Sequence, residues 1–182
     1  SYILASETCA LDAVGAEFVR DVKPGEIVML DKDGITSDES LCTVKPAKCI
    51  FEYIYFARPD SYVDGVSVYN SRIMAGKILA QMHPADADIV VGVPDSGNAA
   101  AMGFALQAGI PYRVGFIKNT YVGRTFIKPK QSARESSVKI KLNVLKEVVA
   151  GKRVVMVDDS IVRGTTSGLI VKMLKDAGAT EV

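Results

Sequence analysis

The sequence predicts an α/β fold in which a parallel sheet carries helices on both faces. From residue 71 onward, short apolar runs of strand length alternate with segments whose apolar residues recur at helical spacing. Such alternation is typical of parallel strands joined by helical crossovers. Because ligands bind these sheets beyond the carboxyl ends of the strands, the loops after the strands are the first candidates for a functional site.

The first fifty residues predict a mixed segment of helix and strand. Thr8 caps a short predicted helix, and residues 27–30 predict a strand. Asp33-Gly34 follows that strand and is the strongest short hairpin signal in the chain. Residues 49–56 are dense in β-branched and aromatic side chains, which predicts another strand.

The elements predicted from residue 71 follow in a regular order. Ser71 caps a helix that ends before Pro84, and its apolar stripe consists of Met74, Ile78, Leu79 and Met82. The later predicted elements are a strand at 89–93, a helix at 98–107 that ends at Gly109, a strand at 112–117, a long polar stretch at 118–137, a helix at 138–149, a strand at 153–157 and a helix at 168–177.

Composition excludes several classes of protein. Of the 182 residues, 48% are apolar, which is ample for a packed core and excludes intrinsic disorder. The 22 basic and 21 acidic side chains exclude nucleic-acid binding that depends on bulk positive charge. No apolar run approaches the ~20 residues that cross a bilayer, so we expect no membrane partner. The absence of a predicted secretory signal, and three cysteines without a CxxC pair, favour a cytoplasmic location.

Both ends of the sequence predict a piece of a longer protein. Ser1 opens directly on an apolar stretch, and the last five residues predict a helix end followed by the start of a strand. Because a strand needs a neighbour and usually continues, we expect further chain on both sides.

The most informative segment is VVMVDDSIVRGTTS at residues 154–167. An apolar strand ends on Asp158 and Asp159, called here the acid pair, and a short loop leads through Gly164 into a helix. Backbone amides, hydroxyls and the positive end of a helix dipole together bind phosphate monoesters. The acid pair can accept hydrogen bonds from sugar hydroxyls or hold a divalent cation. The combination predicts a ribose 5-phosphate ligand; the alternative is a solvated strand end with an ordinary helix cap.

A second loop, residues 94–97 with the sequence PDSG, also comes after a predicted strand and opens a helix. Its small residues let backbone amides approach an anion, and the Ser96 hydroxyl is available to a metal or a phosphate. Together with the first loop, the 94–97 loop predicts a site for a second phosphate group. The alternative is a plain turn between a strand and a helix.

The polar stretch KNTYVGRTFI at residues 118–127 mixes cations with aromatic and aliphatic side chains. Loops longer than ~12–15 residues inside compact domains are often lids over a site. The stretch therefore predicts a lid that neutralises phosphate charge and excludes water; the alternative is a disordered surface insertion.

The chain resembles the glutamine phosphoribosylpyrophosphate amidotransferases through four segments in the same order, FEYIYFARPDS, GVPDSGNAA, KNTYVGRTFI and VVMVDDSIVRGTTS. The acid-pair segment is shared by type I phosphoribosyltransferases in general, whereas YVGRTFI and ARPDS are typical of the amidotransferases. The resemblance implies a type I phosphoribosyltransferase domain at residues 46–182, truncated at its C-terminus. Residues 1–45 resemble the C-terminal remnant of an α+β N-terminal-nucleophile glutaminase domain.

The resemblance implies an amidophosphoribosyltransferase, which forms 5-phosphoribosylamine from phosphoribosylpyrophosphate and ammonia released from glutamine. This is the first committed step of purine biosynthesis. It also implies Mg²⁺, a homotetramer and inhibition by purine nucleotides. The family's cysteine nucleophile, which a glycine follows at the mature N-terminus, has no counterpart here, since Cys9, Cys42 and Cys49 have other neighbours.

The resemblance also assigns roles to individual residues. The acid pair holds the ribose hydroxyls and, with Ser96, helps bind Mg²⁺. The residues around the 5-phosphate are Ser160, Val162, Arg163, Gly164, Thr165, Thr166 and Ser167. The residues of the pyrophosphate loop are Pro94, Asp95, Ser96 and Gly97. The flexible loop contains Lys118, Tyr121 and Arg124, and Tyr55 lines the path of ammonia.

Cys49 has two interpretations. One branch of the family holds a [4Fe–4S] cluster with four cysteines, one of which occupies the position of Cys49, and the other three would lie beyond Val182. The alternative is a cysteine that simply packs well in a core.

Two other classes of function stay open. A regulatory phosphoribosylpyrophosphate-binding module without catalysis would carry a basic DNA-binding domain, and no part of this sequence is basic enough for one. A purine-salvage phosphoribosyltransferase would use a nucleobase as acceptor and would not need a segment that resembles a glutaminase.

Overall fold

The computed structural model describes residues 1–121 and 141–182, which form two compact units, Ser1–Tyr69 and Asn70–Val182. Most of the predicted lid, and the first residues of the helix predicted at 138–149, lie outside the described residues. The predicted domain boundary between residues 45 and 46 stays a prediction.

Two short hairpins and two helical segments make up the first unit. Its elements are α1 (Thr8–Ala13), β1 (Ile27–Asp31), β2 (Gly34–Asp38), a π-helical turn (Glu52–Phe56), β3 (Tyr62–Val63) and β4 (Val66–Ser67). The predicted hairpin at Asp33-Gly34 is confirmed, because β1 and β2 pair antiparallel across it. A second Asp-Gly pair, Asp64 and Gly65, joins β3 to β4 with positive φ angles of 52° and 76°, and the sequence analysis had not predicted this hairpin.

The prediction of a strand at 49–56 is wrong, because the segment folds into the π-helical turn. The amide of Ala57 donates to the carbonyl of Glu52 at 3.1 Å, so the backbone finds partners within the segment. The rings of Phe51 and Phe56 pack with centroids 6.2 Å apart. Aromatic and β-branched side chains favour partly buried surfaces generally, so their density did not distinguish a strand from this turn.

The start of α1 is hydrogen-bonded to the chain around Ser61. Thr8 is the first helical residue rather than the cap, and its hydroxyl accepts a hydrogen bond from the amide of Tyr62 at 2.8 Å. The Glu7 carboxylate accepts from the hydroxyl of Ser61, also at 2.8 Å, and Ser61 is fully buried. The polar side chains at this helix terminus therefore fix a tertiary contact instead of capping their own helix.

The second unit contains the predicted alternation of helix and strand. Its elements are α2 (Val68–Met82, which begins at the end of the first unit), β5 (Ile89–Gly92), α3 (Gly97–Ala108), β6 (Phe116–Lys118), β7 (Leu142–Val144), α4 (Lys146–Val149), β8 (Val154–Val157) and α5 (Thr165–Asp176). The predicted helix that ends at Gly109 is confirmed as α3.

β5 and β8 form the parallel centre of this unit, with helices on both faces. Successive strand residues point to opposite faces. Val91 packs in one core with Ile170 of α5, whereas Val90 packs in a second core with Ala101 and Phe104 of α3. The predicted α/β architecture is therefore confirmed for this unit.

β6 and β7 depart from the prediction. They pair antiparallel, with Ile117 opposite Asn143. The helix predicted at 138–149 is wrong at residues 142–145, because these residues bond to the chain around β6 and only α4 is helical. A strand partner that is remote in sequence overrides the local helical spacing of the apolar residues.

α2 differs from its prediction in both its start and its buried face. Ser71 lies inside the helix rather than at its cap. The side chains of the predicted apolar stripe are between 39% and 68% exposed. The buried positions are Val68, Arg72, Gly76 and Ala80.

Two glycines explain which face of α2 is buried. A Cβ at Gly76 would lie 1.9 Å from the carbonyl oxygen of Ala100, and one at Gly103 would lie 2.0 Å from that of Ile73. The backbones of α2 and α3 are thus in direct contact, and this contact excludes larger side chains. The bulky apolar residues of α2 consequently lie on its other side.

Within residues 1–121 and 141–182, none of the helices combines the length and the apolar character that a membrane span needs.

We expect Gly103→Ala to lower the free energy of unfolding by about 1–3 kcal/mol, because the new methyl group collides with the backbone of Ile73. Gly168→Ala in α5 is the matched control, since a Cβ there meets nothing within 4 Å. The control should raise stability by ~0.5–1 kcal/mol through helix propensity. Urea unfolding followed by circular dichroism measures the free energy of unfolding of both variants. Equal changes in the two variants would contradict the close contact of α2 and α3.

Candidate functional site

The loops after β5 and β8 begin side by side. Gly92 and Val157, the last residues of the two parallel strands, lie opposite each other. The amide of Val93 then donates to the carbonyl of Val157 at 2.9 Å, which extends the pairing by one more bond. The 94–97 loop and the acid pair therefore start from the same edge of the sheet.

Gly97 allows the 94–97 loop to approach the end of β8. A Cβ at this position would lie 2.5 Å from the carbonyl oxygen of Val157 and 3.2 Å from Cα of Asp158. Only glycine fits this distance between backbones. The peptide bond between Pro94 and Asp95 is cis.

Ser96 connects the two loops directly. Its hydroxyl donates to Oδ1 of Asp159 at 3.2 Å. The amide of Asp159 donates to Oδ1 of Asp158 at 2.9 Å, and the hydroxyl of Ser160 donates to Oδ2 of Asp159 at 3.2 Å. The structure therefore brings together the three residues that the sequence analysis associated with a metal.

Asp158 binds its proton more tightly than an ordinary aspartate. Burial raises its pKa to about 6, and the neighbouring carboxyl of Asp159 acts in the same direction. Two carboxylates that lie close together and partly shielded from water repel each other, and a cation or hydroxyl donors would relieve this repulsion.

Arg72 of α2 belongs to this site, and sequence reasoning missed it. The residue is only 5% exposed. Burial lowers the pKa of its guanidinium, and the negative charge of Asp159 acts in the opposite direction. The acid pair is therefore in the field of a buried cation. In the sequence, Arg72 could have been recognised by its spacing. It lies four positions after Val68 and four before Gly76, so it shares the buried face of α2 with them.

The start of α5 offers backbone amides to an anion. Gly164 occupies the cap position with φ 71°, a conformation that favours glycine, and it supplies no capping side chain to the first turn. Thr165 and Thr166 come next as exposed residues, and the Ser167 hydroxyl donates to the carbonyl of Gly164 at 3.1 Å. Val162 in the preceding loop is 86% exposed, although it is apolar.

Lys118 extends the site from the end of β6. Its ammonium group donates to Oδ2 of Asp95 in the 94–97 loop and forms an ion pair with it. Tyr121 is 97% exposed. Arg124, which the sequence analysis assigned to the same loop, lies outside the described residues.

The remaining predicted residues lie in the other compact unit. Tyr55 belongs to the π-helical turn and is 49% exposed, and Cys49 is an exposed free cysteine. The role of each stays a prediction.

The oxygen atoms of Ser96 and the acid pair fit a hard divalent cation. Mg²⁺ typically takes one or two carboxylates from a protein and completes its shell with water and ligand phosphates. Within the ranges 1–121 and 141–182, no three His, Cys, Asp or Glu side chains cluster as a metal cage. Two carboxylates beside a serine hydroxyl are the kind of ligand set that suits a cation arriving with a phosphorylated ligand.

Comparison with known proteins agrees with this geometry. Residues 67–182 match the family model of the phosphoribosyl transferase domain. Among curated relatives, the chain is similar to the amidophosphoribosyltransferases of Archaeoglobus fulgidus, at 58% identity, and Bacillus subtilis, at 55%. These alignments cover 100% of the chain but 40% and 38% of the relatives, so the chain spans about two fifths of their length.

Solved structures have the same fold. One is described as the structure of the allosteric regulatory enzyme of purine biosynthesis, with a TM-score of 0.87 and 55% identity over 97% of this chain and 38% of that chain. Another is a glutamine phosphoribosylpyrophosphate amidotransferase from B. subtilis complexed with ADP and GMP, with the same score and identity over 97% and 39%. The resemblance predicted from four short segments is therefore confirmed along the chain.

We expect Asp158→Asn to stabilise the metal-free protein at pH 8. The folded pKa of about 6 exceeds the ordinary 3.8, so the folded state binds more protons and stability falls as pH rises between these values. Asparagine does not ionise, so the substitution removes this loss of stability. We expect a gain of about 1 kcal/mol, a modest value because solvent still reaches the carboxyl.

The same substitution should change little at pH 3.5, where the carboxyl is protonated in the folded state and mostly protonated in the unfolded state. Asp21→Asn, at an exposed position outside the helices and strands, is the control and should change the free energy of unfolding little at both pH values. Urea unfolding at pH 3.5 and 8 measures the difference. A stability change that is independent of pH would contradict the raised pKa.

Proposed function

Because the chain belongs to the phosphoribosyl transferase domain family, we propose that it forms the phosphoribosyl site of an amidophosphoribosyltransferase. The longer protein would form 5-phosphoribosylamine from phosphoribosylpyrophosphate and ammonia released from glutamine, the first committed step of purine biosynthesis. The observation that carries this proposal is the hydrogen bond of 3.2 Å between Ser96 and Asp159, which joins two anion-binding loops at one acid pair. The names of the similar relatives support it.

The two loops bind opposite ends of the substrate. The amides and hydroxyls at the start of α5, with residues 160–167, bind the 5-phosphate, since a helix N-terminus attracts anions. The 94–97 loop binds the pyrophosphate at the other end of the sugar. The acid pair lies between the two anions and accepts hydrogen bonds from the ribose hydroxyls.

Ser96 and the acid pair would hold Mg²⁺ together with the substrate. When bound, Mg²⁺ supplies positive charge that stabilises the departing pyrophosphate. The buried guanidinium of Arg72 limits the repulsion between the two carboxylates, and this keeps them close enough to share a ligand.

The reaction is a displacement at C1 of the ribose. The bond from C1 to the pyrophosphate oxygen breaks, and pyrophosphate leaves with the electron pair. A bond from C1 to the nitrogen of ammonia forms, and the resulting ammonium group loses a proton to water. Because ammonia attacks as a neutral nucleophile, the chain needs groups that bind and orient charge rather than a strong base. The carboxylates of the site therefore act as binding groups.

Residues beyond this centre also have roles in the proposed enzyme. Lys118 and Tyr121, with Arg124 outside the described residues, help to exclude water from the substrate, because water would compete with ammonia. Tyr55 lines the path of ammonia. If the longer protein carries a [4Fe–4S] cluster, Cys49 would be one of its four cysteine ligands.

The proposed enzyme also has a defined assembly and regulation. Residues 1–45 are the end of the glutaminase domain that supplies the ammonia. The longer protein assembles as a homotetramer, and purine nucleotides inhibit it. The solved relative complexed with ADP and GMP supports the regulatory part of this proposal.

The full-length protein provides the test. In the presence of phosphoribosylpyrophosphate, Mg²⁺ and ammonium chloride, we expect release of pyrophosphate that requires both the metal and ammonia. Release that requires a purine base instead of ammonia would indicate a salvage phosphoribosyltransferase. Binding of phosphoribosylpyrophosphate without any release would indicate a regulatory module.

We expect Asp158→Asn and Asp159→Asn each to lower the rate of ammonia-dependent pyrophosphate release by about 100-fold or more, because each removes a charge that holds the metal and sugar. Asp176→Asn, at the far end of α5, removes an exposed carboxylate outside the site and serves as the control. Unchanged rates in both acid-pair variants would refute the role given to the pair.

A further inference from the structure

An ion pair links the proposed pyrophosphate loop to the neighbouring strand. The ammonium group of Lys118, at the end of β6, donates to the carboxylate of Asp95. The two residues are 23 positions apart, so the contact depends on the tertiary fold. Both side chains remain open to solvent, with 48% of Lys118 and 71% of Asp95 exposed.

Asp95 is an unexpected residue for an anion-binding loop. Its carboxylate carries the same sign of charge as pyrophosphate, and like charges close together repel. A loop that only had to bind pyrophosphate would do so more tightly with a neutral residue at this position. In the structure, the ammonium group of Lys118 neutralises this carboxylate through the ion pair.

We propose that Asp95 competes with pyrophosphate for Lys118: it is the partner of Lys118 in the free site, and pyrophosphate displaces it from that ion pair. This inference rests on the proposed function of the loop. The exposed Asp95 side chain has room to turn toward solvent when the phosphates arrive. Lys118 then contacts the ligand. Its positive charge is therefore paired with Asp95 in the free site and with pyrophosphate in the bound site.

The energy of the pair makes this exchange practical. Exposed ion pairs are weak, and a much more highly charged ligand competes effectively for the lysine. The pair therefore lowers pyrophosphate affinity only moderately, by about twofold to fivefold. A ligand with less charge gains less from Lys118 while it loses the same ion pair. The exchange thus favours diphosphate over monophosphate ligands.

A double-mutant cycle in the full-length protein tests the exchange. The variants are Asp95→Asn, Lys118→Met and the combination of both, and the probe is inorganic pyrophosphate with Mg²⁺ in calorimetric titration. We expect Asp95→Asn to tighten binding by about twofold to fivefold while Lys118 is present. In the Lys118→Met background the gain should be clearly smaller, because only direct repulsion is then removed. Asp95→Glu keeps the negative charge, so it should not show the gain in affinity that Asp95→Asn shows.

Three outcomes would overturn the inference. One is an equal gain from Asp95→Asn in both backgrounds, which would mean that Asp95 acts on the ligand without Lys118. Another is weaker binding by Asp95→Asn, which would mean that Asp95 helps to bind the ligand. The third is a match between Asp95→Glu and Asp95→Asn, which would assign the effect to packing rather than charge. If the unsubstituted protein binds no pyrophosphate at all, the proposed function itself fails.

Discussion

The close approach of the 94–97 loop to the end of β8 holds the candidate site together. It depends on the missing side chain of Gly97, because a Cβ there would lie 2.5 Å from the carbonyl oxygen of Val157. With the backbones this near, the hydroxyl of Ser96 reaches Asp159 at 3.2 Å. The proposed metal, ribose and pyrophosphate contacts all depend on this one meeting of two loops.

The electrostatics of the site result from that meeting. Burial, together with the neighbouring carboxyl of Asp159, raises the pKa of Asp158 to about 6. This lowers the free energy of unfolding of the metal-free protein at neutral pH. Arg72 and Lys118 each place a cation near a carboxylate of the site, one from a buried helix position and one from an exposed strand end. These two cations offset part of the negative charge of the site, and in the proposed enzyme a charged ligand would replace some of these contacts.

Local sequence patterns failed at three elements, and at two of them a distant partner decided the structure. The aromatic segment at 49–56 forms a π-helical turn because its backbone bonds within itself. Residues 142–144 have helical spacing but pair with β6. α2 exposes its bulky apolar side chains because Gly76 and Gly103 bring it into backbone contact with α3. At β7 and α2 the sequence pattern indicates a preference of about a few kcal/mol at most, and packing against the rest of the chain exceeds it.

The chemistry at the strand ends can be predicted from the order of the amino acids: two aspartates and a glycine-threonine turn after one strand, and a short loop of small residues after another. These features depend on neighbours within a few positions, so a local pattern is enough to predict them. The interactions of Ser96 and Arg72 with the acid pair, and of Asp95 with Lys118, become visible only in the folded chain. These contacts join positions far apart in the chain. Backbone packing determines which residues meet, and a local sequence pattern contains no information about it.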